Sequence, residues 1–476
     1  MSSKKVLEGE EFNLKALALC VLFGVGLWFL PHPEGLSGDA WHLLALFITT
    51  IFAIILKPLP MGAVALLAVL AAITTKTLTS EQIFNGFGNQ VLWLVVFALF
   101  IARGFSETGL GNRLAYIFTY CLGKKTLGLS YGLMATDLMM APAVPSVVGR
   151  CAGIVYPILR SIAESFDSLP NSPSAKKMGG FLTVTAFQVT CITSSMFMTA
   201  MAANPMIAGL LKDQGYDLSW GLWAKAAIVP GLVCLILVPY VIYKVYPPEI
   251  KDIPNAPEMA RTNLQKMGPI SFKEWVMIGT VMLLLVLWIF GDTIGIKAAP
   301  AAMVGVAILV LTRALKWKDL VAMSMVWETF FWFCILLTLS DHLNKMGVFH
   351  WASESIGQQL GGMEWYVAFP LLLGIYFYSH YLFASSTAHV ASMFVPFLVV
   401  AINQGTPPML AVFMLTYFSN LYGGLTHYSL TPAPMLYGVG YVNIRTWWKL
   451  GLLTSFVTIT IFSTLGIAWW NFLGVL

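Results

Sequence analysis

The sequence predicts an all-α polytopic membrane protein, and two features of its composition predict it. Hydrophobic residues make up 58% of the 476 residues and charged residues only 10%, whereas soluble proteins carry about a quarter charged residues. A chain of this kind cannot cover a water-facing surface. Roughly 20 apolar residues cross a bilayer as a helix, so the length allows about ten to twelve spans. Alternating ten-residue strands, the mark of a membrane β-barrel, are absent.

Charge and motifs exclude several function classes. The formal net charge of +5 is too small and too dispersed for a nucleic-acid surface. HExxH and P-loop motifs are absent, so we predict neither an enzyme nor an ATP-driven pump. The six cysteines form no CxxC pair, and we expect no disulfide, metal or cofactor. A channel remains an alternative, although it would not need the paired cation sites described below.

The topology follows from the positions of lysine and arginine. Lys4 and Lys5 precede the first apolar run, which places the N-terminus in the cytoplasm. No Lys or Arg follows Lys449, so the last span leaves the C-terminus extracytoplasmic after an odd number of crossings. We expect a multi-pass protein of the cell inner (plasma) membrane. The polar stretch 247–273 is predicted to be a cytoplasmic linker between an N-terminal half (1–246), which holds the first scaffold spans, and a C-terminal half (274–476).

Two stretches rich in helix-breaking and polar residues predict re-entrant hairpins. The first, about 126–168, has lysine pairs before and after it, so it enters from the cytoplasm. The second, about 364–402, lies in a region without Lys or Arg between Lys345 and Arg445, so it enters from outside. One hairpin from each side is what an inverted-topology repeat produces.

The two hairpins share a local pattern. Ser146 is followed by a small residue, Arg150, an alanine and a proline, and Ser385 by the same classes at the same offsets with His389 as the cation. Each half also has a later polar interruption in an apolar run, which predicts a broken helix at about 181–212 and another at about 408–440.

These motifs resemble the Ser-Asn-Thr signatures of the divalent anion:sodium symporter (DASS) family. The similarity is greatest to its sodium-independent branch, the citrate/succinate antiporter and the 2-oxoglutarate/malate translocators, whose tips are similar to the segments that end at Arg150 and His389. Further similar segments are 381–385, 194–197 and 437–442. The resemblance implies a homodimer in which a transport domain moves past a scaffold domain by an elevator mechanism. Val147 and Val148 stand where the family has Asn-Thr.

A carboxylate inside a bilayer needs positive potential and hydrogen-bond donors, which the N-termini of broken helices supply. The predicted substrate-binding residues are Ser146, Val147, Val148, Ser385, Ser386, Thr387, Thr199, Asn204, Thr431 and Pro432. Arg150 and His389 are expected to balance charge where sodium-coupled relatives hold cations. Asp137 is expected to be a structural partner of Arg150, and His380 and His427 to be packing residues.

The predicted function is sodium-independent antiport of di- and tricarboxylates of the succinate, malate, 2-oxoglutarate, tartrate or citrate class. If Arg150 and a protonated His389 leave positive charge uncompensated in the empty carrier, its return across the membrane is slow and exchange is obligatory. The alternative is a sodium-coupled dicarboxylate symporter. The expected partners are small carboxylate anions, the lipid bilayer and a second copy of the chain, with no nucleic acid.

Overall fold

The structure is a computed structural model that describes residues 13–359 and 363–476. In this part of the chain the regular structure is helical, as predicted. Six of its continuous helices are long and apolar enough to cross a membrane: Gly38–Leu56, Gln90–Thr108, Trp220–Val245, Phe272–Ile289, Ser386–Asn403 and Ile444–Phe472. Three shorter apolar helices are Leu14–Phe29, Met61–Thr74 and Ala298–Leu311. The chain is a multi-pass membrane protein.

The helices of the first half are α1 (Leu14–Phe29), α2 (Gly38–Leu56), α3 (Met61–Thr74), α4 (Ser80–Asn85), α5 (Gln90–Thr108), α6 (Leu110–Leu122), α7 (Thr126–Met140), α8 (Tyr156–Ser165), α9 (Gly179–Met196), α10 (Ala203–Asp213) and α11 (Trp220–Val245). Those of the linker and the second half are α12 (Ala256–Met267), α13 (Phe272–Ile289), α14 (Gly291–Ile294), α15 (Ala298–Leu311), α16 (Trp317–Val321), α17 (Ser324–Lys345), α18 (Val348–Gln359), α19 (Trp365–Tyr378), α20 (Ser386–Asn403), α21 (Pro408–Leu421), α22 (Ala433–Gly438), α23 (Ile444–Ile461) and α24 (Ile467–Phe472).

The two halves repeat one order of elements: a long helix, a 14-residue helix, a very short helix, a long helix, a helix of 12 or 13 residues, a hairpin and a broken helix, with the four-residue α14 as an addition in the second half. The two 14-residue helices, α3 and α15, end in the same way. Each has a threonine at its C-terminus, followed by a basic residue with φ of 58°, Lys76 in one and Arg313 in the other. A left-handed non-glycine residue is uncommon, so its recurrence at matched positions marks a genuine internal repeat.

The halves interlock through reciprocal packing. Helix α3 packs against α17 of the other half, and its counterpart α15 packs against α5, the counterpart of α17. The exchange places these four helices in one body, so neither half can close its apolar surface without the other.

The first hairpin consists of α7, a break at 141–147, a π-helical segment (Val148–Val155) and α8. Pro142 and Pro145 lie in the break and explain it, because a proline removes a backbone donor and clashes with the preceding turn of a helix. With 15 residues, α7 is about 22 Å long, shorter than the roughly 30 Å hydrocarbon core. The linker contacts the start of the hairpin and the chain just before α9: its Lys251 carbonyl accepts from Thr126 N–H, and its Ile250 N–H donates to the Lys177 carbonyl.

The second hairpin consists of α19, a 3₁₀ turn (Ser379–Leu382) and α20. Gly405, with φ of 88°, turns the chain at the end of α20 and lies against Trp365 at the start of α19. The two ends of the hairpin therefore adjoin.

A broken helix follows each hairpin. In the first half, α9 ends at Met196 and α10 begins at Ala203; in the second half, α21 ends at Leu421 and α22 begins at Ala433. All 18 residues of α9 are buried, and α9 packs on α7, α11 and α21. The first hairpin and the second broken helix therefore both pack on this helix.

Candidate functional site

Arg150 lies one turn beyond the tip of the first hairpin, in the π-helical segment, and its side chain is fully buried. Its guanidinium makes four hydrogen bonds. Nη1 donates to the carbonyl oxygens of Val144, at 2.5 Å, and of Ala200, at 2.6 Å. Nη2 donates to Ser194 Oγ at 2.9 Å. Arg150 therefore ties the hairpin break to the break between α9 and α10.

The fourth bond of the guanidinium is an ion pair. Arg150 Nε lies 3.1 Å from Asp137 Oδ1, and the other oxygen of Asp137 accepts from Thr193 Oγ1. The carboxylate comes from the first arm of the same hairpin, on α7. The charge of Arg150 is thus balanced within the protein, which differs from the uncompensated charge that the sequence analysis assumed for this residue.

Thr199 and Asn204 are buried and committed to internal bonds at the first helix break. Thr199 Oγ1 donates to the Pro142 carbonyl and accepts from Trp220 Nε1. Asn204 Nδ2 donates to the carbonyls of Ser194, at 2.7 Å, and of Phe197, at 3.0 Å. Both side chains satisfy backbone groups that the break leaves unpaired. In this conformation they do not face an open site.

Ser146 and Ser385 occupy equivalent places at the two hairpin tips. Ser146 Oγ accepts from the Gly149 N–H at 3.0 Å, and Ser385 Oγ accepts from the Ala388 N–H at 3.3 Å. Each serine therefore caps the N-terminus of the second arm of its hairpin. A hydroxyl that accepts in a cap keeps its own hydrogen, which can be donated to an anion.

The remaining predicted residues divide by exposure. Ser146, Val148, Ser385 and Thr387 are partly exposed, and Thr431 is exposed at the second helix break. Three others are buried: Val147, Ser386 and Pro432. Ser386 Oγ donates to the Ser429 carbonyl at 3.3 Å. The structure thus leaves the two tip serines, Val148, Thr387 and Thr431 available to a ligand.

His389 is buried in the first turn of α20 and does not contact a charged side chain in the described structure. Its Nδ1 lies 3.0 Å from Nδ1 of His380, and its Nε2 lies 3.1 Å from Ser379 Oγ. His380 Nε2 lies 3.0 Å from the carbonyl of Ser429. His380, expected to be a packing residue, therefore links His389 to the second helix break. His427, in contrast, accepts from Trp448 Nε1 at 3.1 Å.

The two broken helices meet through a pair of asparagines. Asn420 Nδ2 donates to Asn204 Oδ1 at 2.8 Å, and both side chains are buried. The first hairpin is bound to one of these breaks by Arg150, and the second hairpin to the other by His380. The bond between Asn204 and Asn420 joins the two assemblies.

Sequence reasoning missed His380, Asn420, Ser194 and Ser429 as parts of the site. His380 has no polar counterpart in the first hairpin, so the repeat gave no signal for it. Ser194 belongs to the segment 194–197, which is similar to the family, and that similarity could have marked it as a site residue. Asn420 and Ser429 lie inside the predicted broken helix, but nothing local separates them from other polar residues there.

The arrangement can hold a small anion. Two helix N-termini, each capped by a partly exposed serine, carry partial positive charge and unpaired N–H groups. Anions bind at such termini without a dedicated cation. No cluster of His, Cys, Asp or Glu suited to a metal ion occurs in the described ranges.

Comparison with known proteins shows which protein family and which relatives the chain is similar to. A family model described as "Sodium:sulfate symporter transmembrane region" matches residues 11–476. The chain is 47% identical over 470 residues to the "Putative malate transporter YflS" of Bacillus subtilis, covering 98% of each chain. It is 46% identical over 466 residues to "Dicarboxylate transporter 1, chloroplastic" of Spinacia oleracea, covering 97% of this chain and 82% of the relative.

Two further similarities bear on location and fold. The chain is 36% identical to "Inner membrane protein YbhI" of Escherichia coli, covering 97% of this chain and 98% of the relative. Among solved structures it is similar to the YdaH transporter of Alcanivorax borkumensis, with a TM-score of 0.55 and 14% identity over 97% of each chain. At that identity the structural similarity shows the fold alone.

Proposed function

This chain belongs to the sodium:sulfate symporter family, the divalent anion:sodium symporters, and we propose that within it the chain is a sodium-independent exchanger of dicarboxylates. The family and the relatives named above are transporters, so the expectation that the chain is not an enzyme is confirmed. The relatives are named for dicarboxylates and malate, which supports C4-dicarboxylates of the malate and succinate class as substrates here.

The observation that carries the proposal is the position of the Arg150 guanidinium. In transporters with broken helices, carbonyl oxygens of the unwound segments coordinate the coupling sodium ion. Here the carbonyls of Val144 and Ala200, at two such breaks, accept hydrogen bonds from Arg150 instead. The carboxylate of Asp137 and the hydroxyl of Ser194 bind the same guanidinium. A covalently attached cation thus occupies the oxygen-rich place that sodium would need.

The substrate is proposed to bind between the hairpin tips. Its carboxylates would accept from the hydroxyls of Ser146 and Ser385 and from the N–H groups of the half-helices behind them, with Thr387 and Thr431 at the rim. Val147 is buried and Val148 partly exposed, so the first tip offers fewer donors than an Asn-Thr pair. Fewer donors suit two carboxylates better than three, which favours dicarboxylates over citrate.

Exchange follows from the charge of the empty site. Two helix N-termini point toward it, and their partial positive charge is uncompensated when no anion is bound. Moving this site past apolar helices costs less with a dicarboxylate present than without one. Since no sodium leaves with the substrate, the return step requires a second dicarboxylate.

The moving part is proposed to comprise the two hairpins and the two broken helices. The interlocked helices α3, α5, α15 and α17 would be the scaffold, in an elevator-type homodimer. We propose that the protein lies in the cell inner (plasma) membrane with its N-terminus cytoplasmic and its C-terminus extracytoplasmic. The positive charges of the linker and the relative named as an inner membrane protein support this.

The test is uptake of labelled malate into proteoliposomes. Vesicles preloaded with unlabelled malate should take up label rapidly, and vesicles without internal dicarboxylate should take up almost none. Replacing external sodium by choline should leave the rate within about twofold. Robust uptake into empty vesicles, driven by a sodium gradient, would instead establish the alternative, a sodium-coupled symporter.

A further inference from the structure

The second hairpin contains two buried histidines in direct contact. The distance between Nδ1 of His380 and Nδ1 of His389 is 3.0 Å, and both imidazoles are inaccessible to solvent. Two facing nitrogens at this distance hold one hydrogen between them. The outer nitrogens of the pair bind Ser429 on one side and Ser379 on the other.

The surroundings fix the hydrogens at one end of the pair. The Ser429 carbonyl can only accept, so His380 Nε2 carries a hydrogen and donates it over 3.0 Å. A neutral His380 then has a lone pair on Nδ1, and the hydrogen between the rings belongs to His389 Nδ1. The only nitrogen of the pair whose protonation is left open is His389 Nε2.

Ser379 permits both states of that nitrogen. Its Oγ lies 3.1 Å from His389 Nε2 and 2.9 Å from the carbonyl of Tyr376. When the hydroxyl donates to His389, the imidazole is neutral; when it donates to Tyr376, Oγ accepts from a protonated Nε2. Rotation of one hydroxyl therefore converts a neutral pair into a singly charged one without moving a heavier atom. Because the central contact holds one hydrogen, the pair binds at most one additional proton.

The surroundings of His389 disfavour that charge in an empty carrier and allow it beside an anion. The residue lies in the first turn of α20, where the helix dipole opposes a cation. Three aromatic rings surround the imidazole, with centroids at 4.5 Å for Phe383, 4.6 Å for Tyr422 and 4.8 Å for Tyr376. Aromatic faces stabilise a buried cation, and an anion at the N-terminus of α20 would offset the dipole.

Among the residues that the structure describes, no charged side chain contacts the pair. The titratable groups in contact with His389 are Tyr376 of α19, His380 of the 3₁₀ turn and Tyr422 at the end of α21. Helices α2, α10, α17 and α18 also pack on α20, and their described residues bring no charged side chain against the imidazole. Since Asp137 balances Arg150, a bound dianion finds no other net positive side chain at the tips.

We propose that the His380–His389 pair is a proton-binding site coupled to substrate occupancy, so that binding of one dicarboxylate takes up one proton from solvent onto His389 Nε2. The inference rests on the proposed function, because it requires a dicarboxylate at the tip of α20. One proton reduces the net charge of the loaded site, and it leaves again when the dicarboxylate dissociates. Exchange of two dicarboxylates then moves equal numbers of protons in both directions.

The experiment is calorimetric titration of the purified full-length protein with malate at pH 7.5, where the carboxyl groups of free malate are ionised. The titration is repeated at the same pH in buffers of different ionisation enthalpy. The slope of the observed binding enthalpy against the ionisation enthalpy of the buffer gives the number of protons taken up per malate bound. We expect a slope close to one proton per malate. Binding with a slope near zero would overturn the inference while leaving the proposed function intact. Absence of malate binding, together with absence of exchange, would overturn both.

Variants assign the proton to the pair. In His389→Gln and in Ser379→Ala we expect malate to bind more weakly. The calorimetric slope, which is the number of protons taken up per malate, should be near zero in both variants. The matched controls are His32→Gln, an exposed histidine in the loop after α1, and Ser392→Ala, whose hydroxyl donates to the Ala388 carbonyl on α20. Both controls should retain the wild-type slope. A slope that stays near one in His389→Gln would place the proton elsewhere and overturn the assignment.

Discussion

The two hairpins each end in a serine-capped tip but are anchored by different chemistry. In the first, a guanidinium with a permanent charge binds the carbonyls of Val144 and Ala200 and is neutralised by Asp137. In the second, two buried imidazoles connect the hairpin to the Ser429 carbonyl. Arg150 and His389 each lie one turn beyond a capping serine, and each anchor reaches the break of the broken helix in its own half, the second through His380.

The difference shows that an internal repeat can preserve geometry while it separates roles. The guanidinium of the first hairpin keeps its charge at physiological pH, as arginine side chains do in general. Histidine is the side chain that changes charge near neutrality. In our proposal the first anchor is therefore a fixed replacement for a bound cation, whereas the second responds to the substrate.

The largest expected effect comes from breaking the first anchor. Arg150→Ala leaves the buried carboxylate of Asp137 without its cation, so we expect a loss of about 3–5 kcal/mol of stability and loss of malate exchange. The control is Arg160→Ala, on the second arm of the same hairpin, where an exposed pair with Glu164 contributes little to stability because solvent screens it. Thermal unfolding and exchange in proteoliposomes measure the two effects.

A second variant separates folding from transport. Arg150→Met combined with Asp137→Leu removes both charges and fills the space, so much of the stability should return. Exchange should remain absent, because the carbonyls of Val144 and Ala200 no longer have a cationic donor. Wild-type exchange by this folded double variant would contradict the role given to the guanidinium.

A smaller effect is expected where the two assemblies meet. Asn204 makes three hydrogen bonds and Asn420 Nδ2 makes one, while Asn420 Oδ1 is buried without a partner. Asn204→Ala should therefore cost about 2–4 kcal/mol and Asn420→Ala about 1 kcal/mol. The double variant should show a coupling energy of about 1 kcal/mol by thermal unfolding. Additive losses would mean that the bond does not connect the halves.

The smallest effect is expected at the hairpin tips, and it should be equal in the two. Ser146→Ala and Ser385→Ala each remove a helix cap worth about 1 kcal/mol and one proposed donor to the substrate. Loss of that donor should raise the KM for malate about tenfold, which is about 1.4 kcal/mol. The control Ser37→Ala removes the cap of α2 and should leave KM unchanged. Unequal KM changes would show that one tip contacts the substrate and the other does not.

Local features of the sequence determined the class of the protein and the position of its special segments. The hydropathy of the chain required membrane-spanning helices, because a chain with so few charges has no other way to cover its surface. Prolines and polar residues at 142–146 and at 385–387 marked the tips, since helix breaks and caps depend on residues close to one another in sequence.

The tertiary structure alone decided what Arg150 and His389 bind. The acceptors of Arg150 include backbone carbonyls, and every residue carries one, so no residue type signals the Ala200 carbonyl in advance. The contact between His380 and His389 depends on how a 3₁₀ turn folds back onto α20, and the bond between Asn204 and Asn420 joins residues far apart in the chain. Hydrophobicity and local propensity determine where helices begin and end, whereas the partners of a buried polar group depend on which freed backbone groups the packing brings beside it.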